Sequence, residues 1–150
     1  MTHAYAEEIT GWDYPSPFER YSLVGVLASD FTDPEGGFVA LVDESDQLVG
    51  YRSFGPDGKV PGGNYDDAAL DTGGGLRPDL TGRGLGRSAL QTGLEYGWAA
   101  FGETTIFRVT VWAKNERALR VVRSLGFEHA SHFVATSSGE QYEILAMKDN

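Results

Sequence analysis

The segment Leu76–Ser88 constrains this chain most, because it places alternating glycines between a strand-like stretch and a helix-like one. Gly82, Gly84 and Gly86 carry no side-chain bulk, so the backbone can turn tightly and leave its N–H groups bare. The first N–H groups of a helix lack partners inside the helix, and the helix dipole adds positive charge there. Both properties favour phosphate. Three arginines that suit phosphate oxygens bracket the loop: Arg77, Arg83 and Arg87.

Two familiar phosphate-binding loops do not match this segment. A P-loop requires a Gly-Lys pair, and no lysine lies between Lys59 and Lys114. The dinucleotide fingerprint requires a third glycine where the sequence has Arg87 or Ala89. An ordinary glycine-rich turn between a strand and a helix stays as the simpler alternative.

Length and composition indicate one globular domain spanning residues 1–150. Hydrophobic residues make up 41% of the chain and charged residues 23%. The absence of cysteine excludes disulfides, a thiolate nucleophile and a cysteine zinc site. No signal peptide and no run of ~18 apolar residues is found, so we expect a cytoplasmic protein without a membrane segment.

Charge is divided unevenly along the chain. The net charge of −10 argues against a nucleic-acid partner. Residues 77–123 nevertheless hold eight of the twelve basic residues and only four of the 22 acidic ones. The basic half suits an anion, and the acidic remainder could attract a cationic amine or could simply be a soluble surface.

Hydrophobic periodicity predicts an α+β domain with a mixed, twisted central sheet flanked by helices. The first eleven residues look like a frayed tail, and the aromatic cluster of residues 12–18 is either a substrate wall or, as we favour, core packing. The predicted elements in chain order are a helix 17–29, a hairpin 38–42 and 47–54, a strand 67–76, a helix ending at Gly102, a strand 106–112, a helix from Asn115 to Gly126, and a hairpin 129–135 and 141–148.

A second motif follows the loop at a fixed distance. Thr81-x-x-Gly84-x-Gly86 is similar to the acyl-CoA loop of the GCN5-related N-acetyltransferase (GNAT) superfamily, written [Arg/Gln]-x-x-G-x-[Gly/Ala]. The later run Asn115-x-x-Ala118 through Gly126-Phe127 resembles that superfamily's Asn-x-x-Ala-x-x-x-Tyr-x-x-x-Gly-Phe. Two motifs in the right order and structural context identify the chain as resembling a GNAT domain.

The resemblance implies that acyl-CoA lies between two central strands that part near Leu76 and Trp112. The residues expected to hold it are Gly74 and Leu76 beside the pantetheine and thioester, the loop residues Thr81, Gly82, Arg83, Gly84, Leu85, Gly86, Arg87 and Ser88 around the diphosphate, and Asn115 beside the pantetheine. An N–H at the end of the strand would serve as an oxyanion donor.

Two positions depart from the family pattern. Thr81 replaces the usual Arg or Gln, although its hydroxyl could donate to phosphate. Val122 replaces a tyrosine that often protonates the leaving thiolate, and valine carries no proton. Tyr142 and Ser124 are the alternative acids.

An amine of pKa near 10 must lose a proton before it attacks the thioester. Asp71, inside the strand before the loop, is our first candidate for the general base, with a structural carboxylate as the alternative. Asp66 and Asp67 could instead bind a cationic amine. His129 and His132 should face opposite sides of a regular strand, so no metal site is predicted.

These features predict an acetyl-CoA-dependent N-acetyltransferase that acts in a ternary complex on a primary amine, either of a small molecule or of a protein N-terminus. The alternatives are a non-catalytic acyl-CoA-binding or sensing module and a protein-interaction domain with a decayed site. The oligomeric state stays open, with a homodimer among the options.

Overall fold

The computed structural model describes residues 1–147 of the chain. Within them the helices are α1 (His3–Thr10), α2 (Ala28–Thr32), α3 (Gly86–Phe101) and α4 (Glu116–Ser124). The strands are β1 (Phe38–Val42), β2 (Leu48–Phe54), β3 (Leu70–Leu76), β4 (Phe107–Trp112), β5 (Phe127–Val134) and β6 (Gln141–Met147). The predicted α+β class is confirmed. Residue 148, predicted to end the last strand, lies outside the described part.

The six strands form one mixed sheet in the order β1-β2-β3-β4-β6-β5. The β3–β4 pairing is parallel and the other neighbouring strands pair antiparallel. A parallel pair needs a crossover, and α3 supplies it. The sheet therefore has the predicted hairpins, but it contains two crossovers where the sequence predicted one: α3 connects β3 to β4, and α4 connects β4 to β5 across β6.

The sheet splits between its two central strands. Strands β3 and β4 pair only through Leu70 with Phe107 and Asp71 with Arg108. Beyond that point the rest of β3 still pairs with β2 but has no partner in β4. Gly74 is consequently solvent-exposed although it lies in the middle of the sheet. The sheet thus contains a gap that opens toward the glycine loop.

Helices cover both faces of the sheet. On one face, α3 and α4 bury a core that includes Leu94, Phe107 and Leu145. On the other face, α1 and α2 pack over β1 and β2 around Ile9 and Leu48. The two cores hold the strands on either side of the gap.

The N-terminal prediction is wrong in two places. The expected tail contains α1, which begins after the N-cap Thr2 and buries Ala6 and Ile9 completely. The helix expected over residues 17–29 does not form; the segment contains a three-residue 3-10 turn and the start of α2 instead. Val24, assigned to its buried face, is 93% exposed.

Candidate active site

The gap between β3 and β4 widens into a cleft with a volume of about 640 Å³. We call this cavity the cleft. Its walls are the glycine loop and first turns of α3, the end of β3, the inner face of α4, and the segment from Tyr14 to Tyr21. The cleft therefore brings together the two sequence motifs and an N-terminal segment that neither motif includes.

The loop presents unpaired backbone donors to one end of the cleft. Across the described residues 1–147, no backbone N–H from Gly82 to Ser88 donates to a protein oxygen. Gly82 and Gly84 hold the backbone at φ of 74° and 78°, a left-handed conformation that favours glycine. The helix that starts at Gly86 adds its dipole to these donors. We call this set of amides the cradle.

The arginines around the cradle differ in their availability. Arg87 and Arg117 line the cleft, and the Arg117 guanidinium lies over Gly82 and over the Phe18 ring, 4.6 Å from its centroid. Arg77, expected to bracket the phosphate, is held instead by Asp79 at 2.6 Å and by the backbone of β2. The cradle cations thus come from α3 and α4.

Thr81 does not offer its hydroxyl proton to the cleft, because Oγ1 donates to the carbonyl of Pro78 at 2.8 Å. The expected donation from this side chain to phosphate is therefore corrected: Thr81 closes the turn that leads into the loop. Arg83, Leu85 and Ser88 do not line the cleft with their side chains, and only their backbone N–H groups belong to the cradle.

Strand β3 directs alternate peptide groups into the gap. The Asp71 carbonyl accepts from Gly55, and the Arg77 N–H donates to Val49, so the odd-numbered residues bond toward β2. The even-numbered Gly74 and Leu76 therefore point their peptide groups toward the gap. The Tyr14 hydroxyl confirms this direction, because it enters the cleft and donates to the Leu76 carbonyl.

Asn115 connects α4 to the N-terminal segment. Its Oδ1 accepts from the Ala118 N–H as a helix cap, and its Nδ2 donates to the Tyr21 hydroxyl at 3.0 Å. The Tyr21 hydroxyl accepts this bond and keeps its own proton free. Burial raises the pKa of Tyr21 above its ordinary value of 10.0. Tyr21 therefore presents a protonated hydroxyl in the cleft at neutral pH.

Val122 and the two alternative general acids, Ser124 and Tyr142, lie at different places relative to the cleft. Val122 is 5% exposed and belongs to the core, and it also lines the cleft. Ser124 lines the cleft, but its hydroxyl donates to the Val121 carbonyl at 2.7 Å. Tyr142 stacks on Phe133 and does not line the cleft. Neither of the two alternative acids offers a free proton to the cleft.

Asp71 lies at the closed end of the gap and not on the lining of the cleft. Both of its oxygens accept from Arg108 at 2.8 Å, and the residue is only 2% exposed. A carboxylate must leave this ion pair before it can take a proton. The role of base stays a prediction for Asp71, and this geometry argues against it.

Asp66 also bonds Arg108, at 2.8 Å to Nη1, while its side chain is 75% exposed. Asp67 borders a small separate cavity near Thr104 and Ile106. The lining of the cleft contains no aspartate, glutamate or histidine from the described residues. A cationic acceptor therefore meets no carboxylate inside the cleft.

The histidine pair differs from its prediction. A register shift between His129 and Ser131 brings the imidazole rings of His129 and His132 to 5.9 Å, instead of placing them on opposite sides of the strand. Residues 1–147 contain no group of three or more His, Cys, Asp or Glu side chains placed to hold a metal. Over the same residues, no helix is both long and apolar enough to cross a bilayer.

Among the residues of the cleft, sequence reasoning missed Tyr14, Tyr21, Arg52 and Arg117. Tyr14 lies in the aromatic cluster of residues 12–18, which we favoured as core packing, and Tyr21 lies in the helix expected over residues 17–29. Arg52 gave no signal, since a single arginine in a strand is ordinary.

A sheet that splits beside a helix N-terminus with free amides is an arrangement that suits a phosphorylated ligand. The family model of the Acetyltransferase (GNAT) family matches residues 3–127. The chain therefore belongs to the GNAT family, whose enzymes use acetyl-CoA as co-substrate.

Solved structures share this fold at low sequence identity. A GNAT-family acetyltransferase from Bacillus anthracis matches with a TM-score of 0.73 and 16% identity, over 99% of this chain and 92% of that one. A spermidine N-acetyltransferase SpeG chimera from Vibrio cholerae and hSSAT matches with a TM-score of 0.70 and 14% identity, over 98% and 92% of the two chains. No curated protein sequence matches the chain significantly.

Proposed function

We propose that the chain is an acetyl-CoA-dependent N-acetyltransferase that transfers the acetyl group directly to a primary amine in a ternary complex. The observation that carries this proposal is the cradle, whose N–H groups from Gly82 to Ser88 have no protein acceptor among residues 1–147. These residues are exposed or, at Gly86, half-buried, so a ligand can reach their N–H groups from the solvent. A row of them at a helix N-terminus, beside two arginines, supports a bound diphosphate.

The residues present fit such a ligand along the whole cleft. The cradle and the guanidinium groups of Arg87 and Arg117 would hold the diphosphate. The gap-facing peptide groups of Gly74 and Leu76 would pair with the pantetheine, and Asn115 lines the same cleft. Acetyl-CoA would supply a thioester-activated acetyl group.

The N–H at the end of β3 would stabilise the negative charge that develops on the thioester oxygen. Preorganised backbone donors do this without reorganising during the reaction. Tyr14 contributes by holding the Leu76 carbonyl, which fixes the residue whose own N–H faces the gap.

Tyr21 is our candidate for the group that protonates the leaving sulfur in place of the tyrosine that Val122 replaces. Its hydroxyl accepts from Asn115, lines the cleft and keeps a proton to donate. Its raised pKa keeps that proton in place at neutral pH. Donation returns a neutral thiol, and the tyrosinate regains its proton from water.

The amine enters from outside the cleft and must attack as the neutral base. With no carboxylate or histidine on the described lining, its proton leaves through water. We assign Asp71 the role of a positioning residue that fixes Arg108 where β3 and β4 separate. The acceptor is a small-molecule amine or a protein N-terminus, and a cytoplasmic location is part of this proposal.

The replacement by Val122 favours one alternative, a non-catalytic module that binds acyl-CoA. The test incubates the protein with acetyl-CoA and a panel of amines, and follows the release of free CoA. Saturable release with at least one amine supports the enzyme. Tight binding without release from any amine supports the module, and failure of acetyl-CoA to raise Tm excludes both.

A further inference from the structure

Arg52 is a cation in the cleft without an anionic partner. It projects from β2 into the cleft, where Nη2 donates to the Thr72 hydroxyl at 3.0 Å. Its Nε is buried and has no hydrogen-bond partner. None of the ion pairs among residues 1–147 includes it. A half-buried guanidinium with a buried, unpaired Nε gains from a ligand that supplies an acceptor.

The chain makes room for this side chain with two glycines. A Cβ on Gly93 of α3 would lie 2.7 Å from Arg52 Cγ. One on Gly74 of β3 would lie 3.0 Å from Nη1 and closer still to the Tyr51 carbonyl oxygen. The half-buried Arg52 side chain is therefore packed between a helix and a strand. Such a fixed fork of donors suits a carboxylate.

Arg52 lies away from the phosphate end of the cleft. It pairs in the ladder with Gly74, whose peptide groups face the gap. It also contacts α3 at Gly93, seven residues and about 10 Å along the helix from Gly86. The cradle cations Arg87 and Arg117 therefore serve a different part of the ligand.

Burial lowers the pKa of Arg52 to about 10, which leaves the group charged at neutral pH. The described lining of the cleft offers no carboxylate that could neutralise it. Any anion beside Arg52 must come with the ligand.

We propose that Arg52 binds a carboxylate carried by the reacting part of the ligand, next to Gly74. This inference rests on the proposed function, because it places an acyl-CoA in the same cleft. The carboxylate has two possible sources. It belongs either to an acyl group derived from a dicarboxylic acid or to an acceptor that is an amino acid.

The first experiment measures the wild-type protein alone. One arm compares succinyl-CoA with butyryl-CoA by calorimetric affinity and by turnover. The other arm compares amino acids with their carboxamides as acceptors of acetyl-CoA. A preference of about tenfold or more for the carboxylate in either arm supports the proposal and identifies the source. Equal use of both members in both arms overturns it.

Variants then test whether Arg52 carries that preference. R52Q should abolish it and R52K should retain part of it, because lysine keeps the charge and loses the fork. The matched control R123Q removes an exposed arginine on α4 that pairs with Glu143, and it should keep the preference. If R52Q keeps the preference for a carboxylate, the assignment to Arg52 is overturned. If R52Q does not fold, R52K provides the test, and an undiminished preference in R52K overturns the assignment.

A stability readout separates binding from a structural role. Without ligand, R52M should unfold at the same temperature as wild type or a higher one, because it removes a half-buried charge that has no anionic partner. A clear fall in Tm would assign Arg52 to the fold instead. Free CoA is the reference ligand. If CoA raises the Tm of wild type and R52Q equally, and wild type shows no preference for a carboxylate, only the Arg52 inference fails. If CoA binds neither protein, the proposed function fails with it.

Discussion

Asp71 and Arg108 form a bidentate ion pair, with both nitrogen–oxygen distances at 2.8 Å, where the parallel pairing of β3 and β4 ends. The side chains are 3% and 8% exposed. The hydrogen bonds that Arg108 donates to Asp71 raise the pKa of Arg108 above its ordinary range. The pair therefore holds the two strands together at the point from which the gap opens.

Asp71→Asn should destabilise the protein without removing a base. Loss of one partner leaves Arg108 buried and partly unpaired, and we expect the free energy of unfolding to fall by about 3 kcal/mol. The folded variant should keep the wild-type pH dependence of kcat. Chemical denaturation and pH–rate profiles check the two parts, and a lost rate at pH 7 in a folded variant would restore Asp71 as the base.

Gly84→Ala should weaken CoA binding, and Gly139→Ala is its matched control. Both glycines have positive φ, 78° and 70°, and neither Cβ would meet an atom within 4 Å. Both variants should therefore lose about 1 kcal/mol of stability to backbone strain. Only Gly84 belongs to the cradle, so only its variant should raise the Kd for CoA, by about tenfold. Equal Kd values in calorimetry would contradict the placement of the diphosphate.

Tyr21→Phe should lower kcat by about a hundredfold with little change in KM, as expected for the loss of a general acid. Because burial raises the pKa of Tyr21 above 10.0, its proton stays bound as the pH increases through the neutral range. The wild-type rate should thus rise with pH as the amine deprotonates and should not fall again below about pH 10. Tyr142→Phe, which alters a tyrosine outside the cleft, should leave kcat unchanged, and equal losses in both variants would exclude Tyr21 as the donor.

Gly93→Ala and Gly97→Ala, one helical turn apart on α3, separate the position of Arg52 from general packing. The new Cβ would lie 2.7 Å from Arg52 Cγ in the first variant and 2.6 Å from Phe107 Cζ in the second. Each should cost about 1–3 kcal/mol of stability, partly offset by the higher helix propensity of alanine.

Only Gly93→Ala should also reduce the preference for a carboxylate, because it displaces the guanidinium. The preference is measured as the ratio of kcat/KM for paired substrates with and without the carboxylate. A ratio that falls equally in both variants would contradict a specific role for Arg52.

The sequence predicted the part of the fold that local rules determine. Residues 70–127 carry a helix stripe with a glycine stop, an Asn115 cap and β-branched strand residues, and the observed elements follow them closely. The helix predicted over residues 17–29 was wrong because the apolar spacing of Phe18, Tyr21 and Val24 imitates a helix. These side chains are instead divided between the core, the cleft and solvent.

In the candidate site, too, the sequence predicted the features that depend on neighbouring residues and missed those that depend on distant ones. The cradle follows from glycine spacing and a helix start, which are local in sequence. The partner of Asp71 is 37 residues away, on the neighbouring strand, and only the parallel register brings Arg108 to it. The unpaired state of Arg52 depends on which side chains do not reach it, and no local pattern contains that information.

The central claim is that the free amides from Gly82 to Ser88 bind the diphosphate of a coenzyme A derivative. It is tested most directly by titrating CoA into ¹⁵N-labelled protein and following the backbone amide resonances. We predict that the amides of Gly82, Gly84 and Gly86 shift most, while that of Gly139 stays unchanged. Saturating CoA that leaves the three loop glycines unshifted would contradict the account.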